Sequence, residues 1–174
     1  MPGTTLILGG ARSGKSRFAE SLLADKPGDA RLYLATAEAR DAEMAERIAR
    51  HRADRGSAWI TIEEPLEIAP IIQRECGLGR YVLVECLTLW LSNLMEAGRD
   101  VAAETGRLCA ALPQPGSAGG AVLVSNEVGL GIMPMNALAR AFGDEAGRLN
   151  QRIAAAADKA YFIAAGLPLK LKGE

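Results

Sequence analysis

Eight residues near the start of the chain carry the clearest chemistry. Gly9-Gly10-Ala11-Arg12-Ser13-Gly14-Lys15-Ser16 fits G-x-x-x-x-G-K-[ST], the pattern of a loop that cradles phosphate. The glycines let consecutive backbone N–H groups turn inward toward an anion. Lys15 is placed to reach the outer phosphates, and the Ser16 hydroxyl is a ligand for Mg²⁺. The apolar run Thr4 to Leu8 precedes the loop, and Arg17 to Ala24, with Phe18 and Leu22 on one helical face, comes after it. Strand, glycine-rich turn and helix are the context such a site needs, so the chain is read as binding a nucleoside triphosphate.

Other candidates lie just past the strands, because ligands of parallel sheets sit outside the strands' carboxyl ends. Glu85 closes the apolar run Tyr81-Val82-Leu83-Val84, as the terminal acid of a Walker-type strand does, and can hold Mg²⁺ beside Ser16. Thr36 and Glu63 end two further strands. Ser125 to Ile132 forms a polar, glycine-bearing loop that reads equally as a substrate wall or as an ordinary connection. His51 is the single histidine, set among Arg47, Arg50, Arg52 and Arg55. Spacing alone leaves it open between a helix-end structural residue and a catalytic one.

The elements that must position these groups alternate along the chain. Strands are expected at Arg31 to Ala35, Trp59 to Ile62, Tyr81 to Val84, Ala121 to Ser125 and Tyr161 to Ala164, with an edge strand at Leu167 to Lys172. Helices are expected at Asp41 to Arg55 and at Leu66 to Cys76, the latter kinked or started late by Pro70. Leu87 to Leu112 reads as mostly helical with breaks near Gly98 and Gly106. Pro134 to Asp158 reads as a long amphipathic helix. The alternation predicts an α/β fold, a mostly parallel sheet flanked by helices, in a single domain over residues 1–174.

Composition bounds the partners. The 174 residues are 49% hydrophobic, with 20 Lys and Arg against 21 Asp and Glu and a formal net charge of −1. No basic stripe points to nucleic acid, and no segment is long and apolar enough for membrane insertion. Cys76, Cys86 and Cys109 sit apart in apolar segments and read as reduced core thiols of a cytoplasmic protein.

Several stretches together resemble the bifunctional adenosylcobinamide kinase/adenosylcobinamide-phosphate guanylyltransferase family of cobalamin biosynthesis. They are Gly9 to Arg17, Tyr33 to Ala37, Asp41 to Ile48, His51-Arg52, Trp59 to Glu63, Glu85 to Asn93, Ser125 to Ile132, Ala146 to Arg152 and Gly166 to Lys172. The resemblance implies a P-loop NTPase of RecA-like architecture with an antiparallel strand at its C-terminal edge. It implies phosphate transfer from ATP or GTP to adenosylcobinamide, then GMP transfer from GTP to adenosylcobinamide phosphate through a histidine–GMP intermediate. His51 falls on the matching position. The same resemblance places Ala35, Thr36, Ala37, Arg52, Ala53, Asp54, Arg55 and Glu63 at the nucleotide, beside Glu85 and the loop. Where the family often has Ser, this chain has Ala37 and no hydroxyl. A homo-oligomer, with a trimer favoured, is implied as well.

Three other readings make different demands. A plain P-loop kinase with a structural His51 would transfer phosphate without a covalent nucleotide. A regulatory GTPase would want an N-K-x-D motif, which the chain lacks. An ATPase acting on nucleic acid would want the basic and aromatic surface that the balanced charge denies it.

Overall fold

The computed structural model describes residues 3–38, Glu46 and 59–173. The helix expected over 41–55, with His51, Arg52, Ala53, Asp54 and Arg55, lies outside the described residues apart from Glu46. Seven strands form one sheet: β1 (Gly3–Gly9), β2 (Arg31–Ala35), β3 (Ile60–Glu63), β4 (Tyr81–Glu85), β5 (Gly120–Val124), β6 (Lys159–Ala164) and β7 (Leu167–Lys172). Their order is β3-β2-β4-β5-β1-β6-β7. All pairings are parallel except that of β6 with β7.

The described helices are α1 (Lys15–Ser21), α2 (Ile68–Gly77), α3 (Leu87–Glu96), α4 (Val101–Ala111) and α5 (Ala137–Ala156). Alternation along the strands sorts the core into two layers. Leu6, Leu34, Val82, Val84 and Leu123 pack with α2, α3, α4 and α5 on one face. Ile7, Leu83, Val122 and Ile163 pack against Ala19 and Leu23 on the other. The three central strands β1, β4 and β5 are almost wholly buried, which accounts for their near-continuous apolar sequences.

Element ends differ from expectation for local reasons. Helix α1 starts within the phosphate loop itself, at Lys15. Helix α2 starts late, so Pro70 falls in its first turn, where a missing N–H breaks no intrahelical bond. The break near Gly98 is real, but Gly106 sits inside α4. There it leaves room for Arg152 of α5, whose guanidinium donates to the Ala102 carbonyl at 2.7 Å. Helix α5 begins at Ala137 because the Asn136 side chain accepts from the N–H groups of Leu138 and Ala139.

The C-terminal hairpin turns through Ala165 and Gly166, both at positive φ, as a two-residue turn between antiparallel strands requires. Lys172 Nζ then donates to the carbonyls of Ala154 and Ala155 at 2.9 and 2.8 Å and closes the end of α5. Cys76 and Cys86 are buried free thiols and Cys109 is half-buried.

One buried charge fixes how β4 enters the sheet. The Glu75 side chain, 4% exposed, is paired with Arg74 at 2.7 Å and with Arg80. Arg80 also accepts the Gly120 N–H on its carbonyl, at the start of β5. Burial pushes the Glu75 carboxyl up, but Arg74 and Arg80 together outweigh it and hold it below its ordinary value of 4.5. Its contribution to stability is therefore full above that ordinary value and is lost as pH falls through the lower folded one. Glu75→Gln should cost about 1–2 kcal/mol near neutral pH. In urea unfolding, its gap from wild type should shrink as pH drops below about 4.

Candidate active site

Three strand ends converge at one edge of the sheet. Because β5 pairs with both β1 and β4, the loop after β1, Glu85 at the end of β4 and Asn126 just past β5 come together. Ser16, the second residue of α1, donates from Oγ to Glu85 Oε1 at 3.0 Å. A hydroxyl and a carboxylate distant in sequence are thus side by side, as the motif reading requires. Lys15 is 7% exposed, and its Nζ donates to the Gly10 carbonyl at 2.5 Å, which curls the side chain over the loop.

The loop is held from behind by the β6–β7 turn. Gly166 donates its N–H to the Ser13 carbonyl at 2.8 Å. A Cβ on Gly14 would stand 3.2 Å from Gly166 Cα, and Gly14 itself has φ +99°. A Cβ on Gly9 would run into the Ile163 carbonyl. Arg12, at φ 55°, is a left-handed non-glycine residue at the tip of the loop, a conformation that costs about 1 kcal/mol and gathers at functional sites.

A cavity of about 850 Å³ opens over the loop. Its floor is Ala11, Arg12, Ser13, Gly14, Lys15 and Ser16. One wall comes from Phe18 and Ser21 of α1 with Tyr33, Ala35 and Ala37, and another from Glu85, Cys86, Leu89 and Asn126. Gly9 and Gly10 shape the strand end that leads into the floor rather than the wall.

Thr36 lies between two wall residues but faces inward. It is fully buried, and its hydroxyl donates to the Cys86 carbonyl and accepts from the Cys86 N–H, both at 2.8 Å. Asn93 donates to the Thr36 carbonyl at 2.8 Å. Thr36 therefore ties the end of β2 to the end of β4. Glu63 ends the outer strand β3 opposite Ala35 and is not in the cavity wall. Cys86, though in the wall, is no nucleophile near neutral pH, because burial, with the Glu85 charge adding to it, pushes its thiol up to about 11.

The donor set at Ser16 and Glu85 fits Mg²⁺, which takes hard oxygen ligands and is commonly held by one or two protein oxygens plus phosphates. Among the described residues there is no cluster of three His, Cys, Asp or Glu that would cage a metal by itself.

Behind the wall, Ser125, which opens the polar loop after β5, meets Thr88 and Asn150, two residues that do not stand out by chemistry in the sequence. Ser125 Oγ donates to Asn150 Oδ1 at 2.7 Å, and Thr88 Oγ1 accepts the Asn126 N–H at 2.7 Å. A signal is there: Asn150 is a polar residue on the apolar stripe of α5, beside Leu149 and in line with Ala146 and Ile153. Gly166 carries no such signal, since its role depends on a turn meeting a loop far away in sequence.

Comparison with known proteins agrees with this geometry. Residues 5–171 match the model of the cobinamide kinase / cobinamide phosphate guanyltransferase family. The chain is 51% identical over 170 residues to a bifunctional adenosylcobalamin biosynthesis protein of Pseudomonas aeruginosa, covering 97% of each chain. It is 40% identical over 183 residues to the like-named protein of Escherichia coli K12, covering 96% of this chain and 98% of that one. Among solved structures, the P4 protein of bacteriophage phi6 with ADP superposes with a TM-score of 0.53 at 21% identity. The match covers 97% of this chain and 54% of that one. The type III secretion ATPase EscN of enteropathogenic E. coli superposes with a TM-score of 0.56 at 13% identity, over 92% of this chain and 42% of that one. At such identities these structures show a shared fold alone.

Gly14→Ala tests the loop. It would place a side chain at a left-handed φ, costing about 1–2 kcal/mol, and press it on Gly166. A modest fall in melting temperature with at least about a tenfold loss of GTP affinity is expected, read by thermal unfolding and calorimetric titration.

Proposed function

The chain belongs to the cobinamide kinase / cobinamide phosphate guanyltransferase family and is a kinase and guanylyltransferase of cobalamin biosynthesis; we propose how its own residues share these two reactions. The reading rests on one observation above all, the Ser16–Glu85 hydrogen bond at the edge of a cavity floored by the phosphate loop. In the first reaction the adenosylcobinamide hydroxyl attacks the γ-phosphorus of ATP or GTP, and the nucleoside diphosphate leaves. Lys15 and the loop amides balance the charge that spreads over the transferring phosphoryl oxygens. Ser16 and Glu85 would hold Mg²⁺, which supplies neutralising charge to the polyphosphate.

In the second reaction a neutral His51 nitrogen attacks the α-phosphorus of GTP and pyrophosphate leaves. The phosphate of adenosylcobinamide phosphate then attacks that phosphorus, freeing the histidine and forming adenosylcobinamide-GDP. Ala35 and Ala37 line the nucleotide cavity, Thr36 ties the ends of β2 and β4 beside it, Glu63 closes β3 next to Ala35, and Arg52, Ala53, Asp54 and Arg55 follow the nucleophile in sequence. Water must be kept from the histidine–GMP linkage until the acceptor arrives.

The protein is read as one domain over residues 1–174, acting in the cytoplasm on small molecules. Among the described residues no helix is long and apolar enough to cross a membrane. A homo-oligomer is supported by the apolar run on the β5–α5 connection and the start of α5, where Leu130, Ile132, Met135 and Leu138 are 80, 98, 98 and 70% exposed, while the preference for a trimer rests on the family resemblance alone.

Two variants separate the reactions. Lys15→Ala should slow phosphorylation of adenosylcobinamide by at least about a hundredfold. His51→Ala should leave phosphorylation within about threefold of wild type while adenosylcobinamide phosphate accumulates in place of adenosylcobinamide-GDP. Chromatography of the reaction products reads both. Wild-type yield of adenosylcobinamide-GDP from the His51 variant would return that residue to a structural role.

A further inference from the structure

The polar cluster behind the cavity has no role in the reactions as assigned so far. Thr88 in α3, Ser125 after β5 and Asn150 in α5 come from three elements and meet beneath Asn126. Ser125 is 2% exposed and Asn150 is 5% exposed. Ser125 Oγ donates to Asn150 Oδ1 at 2.7 Å and stands 3.5 Å from Thr88 Oγ1. Two further bonds of the cluster go to one residue: Asn126 donates its N–H to Thr88 Oγ1 at 2.7 Å, and its carbonyl accepts from Asn150 Nδ2 at 3.3 Å. The neighbours of Asn126 are pinned to β1 as well, Ser125 N–H to the Ile7 carbonyl at 2.9 Å and Glu127 N–H to the Gly9 carbonyl at 3.0 Å.

Holding buried polar groups is costly unless every one is paired, and a paired network is rigid and specifies one geometry. Four hydrogen bonds thus fix the backbone at and around Asn126. The strand order says where that residue stands: β5 lies between β1 and β4, so Asn126 leaves the sheet between the phosphate loop and Glu85. It lines the cavity with both. Among the described residues no hydrogen bond engages its carboxamide.

We propose that Asn126 is a catalytic residue whose carboxamide donates to the terminal phosphoryl group during transfer, and that Thr88, Ser125 and Asn150 are positioning residues that hold it there. The assignment rests on the reading of the cavity as the phosphate site. An amide donor suits that place. It stabilises charge gathering on the phosphoryl oxygens without adding a charge that would hold the product, and its fixed backbone avoids reorganisation at the moment of transfer.

The test compares wild type, Asn126→Ala, Asn150→Ala, Thr88→Val and the Asn126→Ala/Asn150→Ala double variant. Asn126→Ala should lower kcat for phosphorylation of adenosylcobinamide by about 10²-fold and raise the nucleotide KM by about tenfold, because the carboxamide meets the terminal phosphate before as well as during transfer. Asn150→Ala and Thr88→Val should each lower kcat by about 3- to 30-fold. The double variant should be no slower than Asn126→Ala alone, because positioning residues act only through the group they position. In calorimetric titrations, Asn126→Ala should also lose about tenfold of the preference for a non-hydrolysable GTP analogue over GDP, with GDP affinity unchanged. If Asn150→Ala does not fold, Thr88→Val, which keeps the side-chain volume, carries the comparison, with its own double variant with Asn126→Ala.

A wild-type kcat and an unchanged binding preference in Asn126→Ala overturn the proposal while leaving the kinase reading intact. A full Asn150→Ala or Thr88→Val effect on top of Asn126→Ala overturns the positioning role. Absence of transfer to adenosylcobinamide by wild type, with the binding preference still lost in Asn126→Ala, overturns the kinase reading and upholds this one.

Discussion

Hydrogen bonding of β5 between β1 and β4 forces three strand ends to within one loop's reach of each other, and the chemistry depends on that adjacency. A parallel strand offers its carboxyl end to the same edge as its neighbours, so each successive strand adds one side chain to the same cavity. β1 contributes the loop with Lys15 and Ser16, β4 contributes Glu85, and β5 contributes Asn126. A shift of register by one residue would turn a strand's side chains to the opposite apolar layer and move its last residue along the edge that carries the site. The two apolar layers, with Leu6, Val84 and Leu123 on one face and Ile7, Leu83 and Val122 on the other, set that register firmly.

The site is braced by backbone contacts more than by side chains. The hairpin turn at Ala165 and Gly166 touches the loop at Ser13 and Gly14, where no side chain fits between. Thr36 binds both backbone groups of Cys86 and so locks the end of β2 to the residue after Glu85. These braces have no net charge, and the one between Thr36 and Cys86 is buried. Salt does little to them, and they keep the cavity's shape while charged phosphates enter and leave.

Much of this is legible in the sequence, and the limits have physical causes. The phosphate loop can be read because its residue types are dictated locally, by turn geometry and by phosphate. Glu85 can be read because it ends an unmistakably apolar run. Thr36 is placed correctly at a strand end, yet sequence alone does not say that its hydroxyl turns inward to Cys86 rather than outward to a ligand. Gly106 reads as a break because glycine weakens helices; packing of Arg152 across it overrides that local preference. Thr88, Ser125 and Asn150 are 25 or more residues apart, so only the fold reveals them as one cluster. The guanylyl-transfer role of His51 comes from family resemblance, as spacing leaves it open.

The central claim is that one phosphate-loop cavity serves both a phosphoryl and a nucleotidyl transfer, the second through His51. It is tested most directly by incubating the protein with GTP labelled at the α-phosphate and tracking the label through denaturing electrophoresis. The account predicts a covalent, acid-labile label on the wild-type chain that is absent from His51→Ala. Nucleotide binding with no covalent label on wild type, or an equal label on the His51 variant, would contradict it.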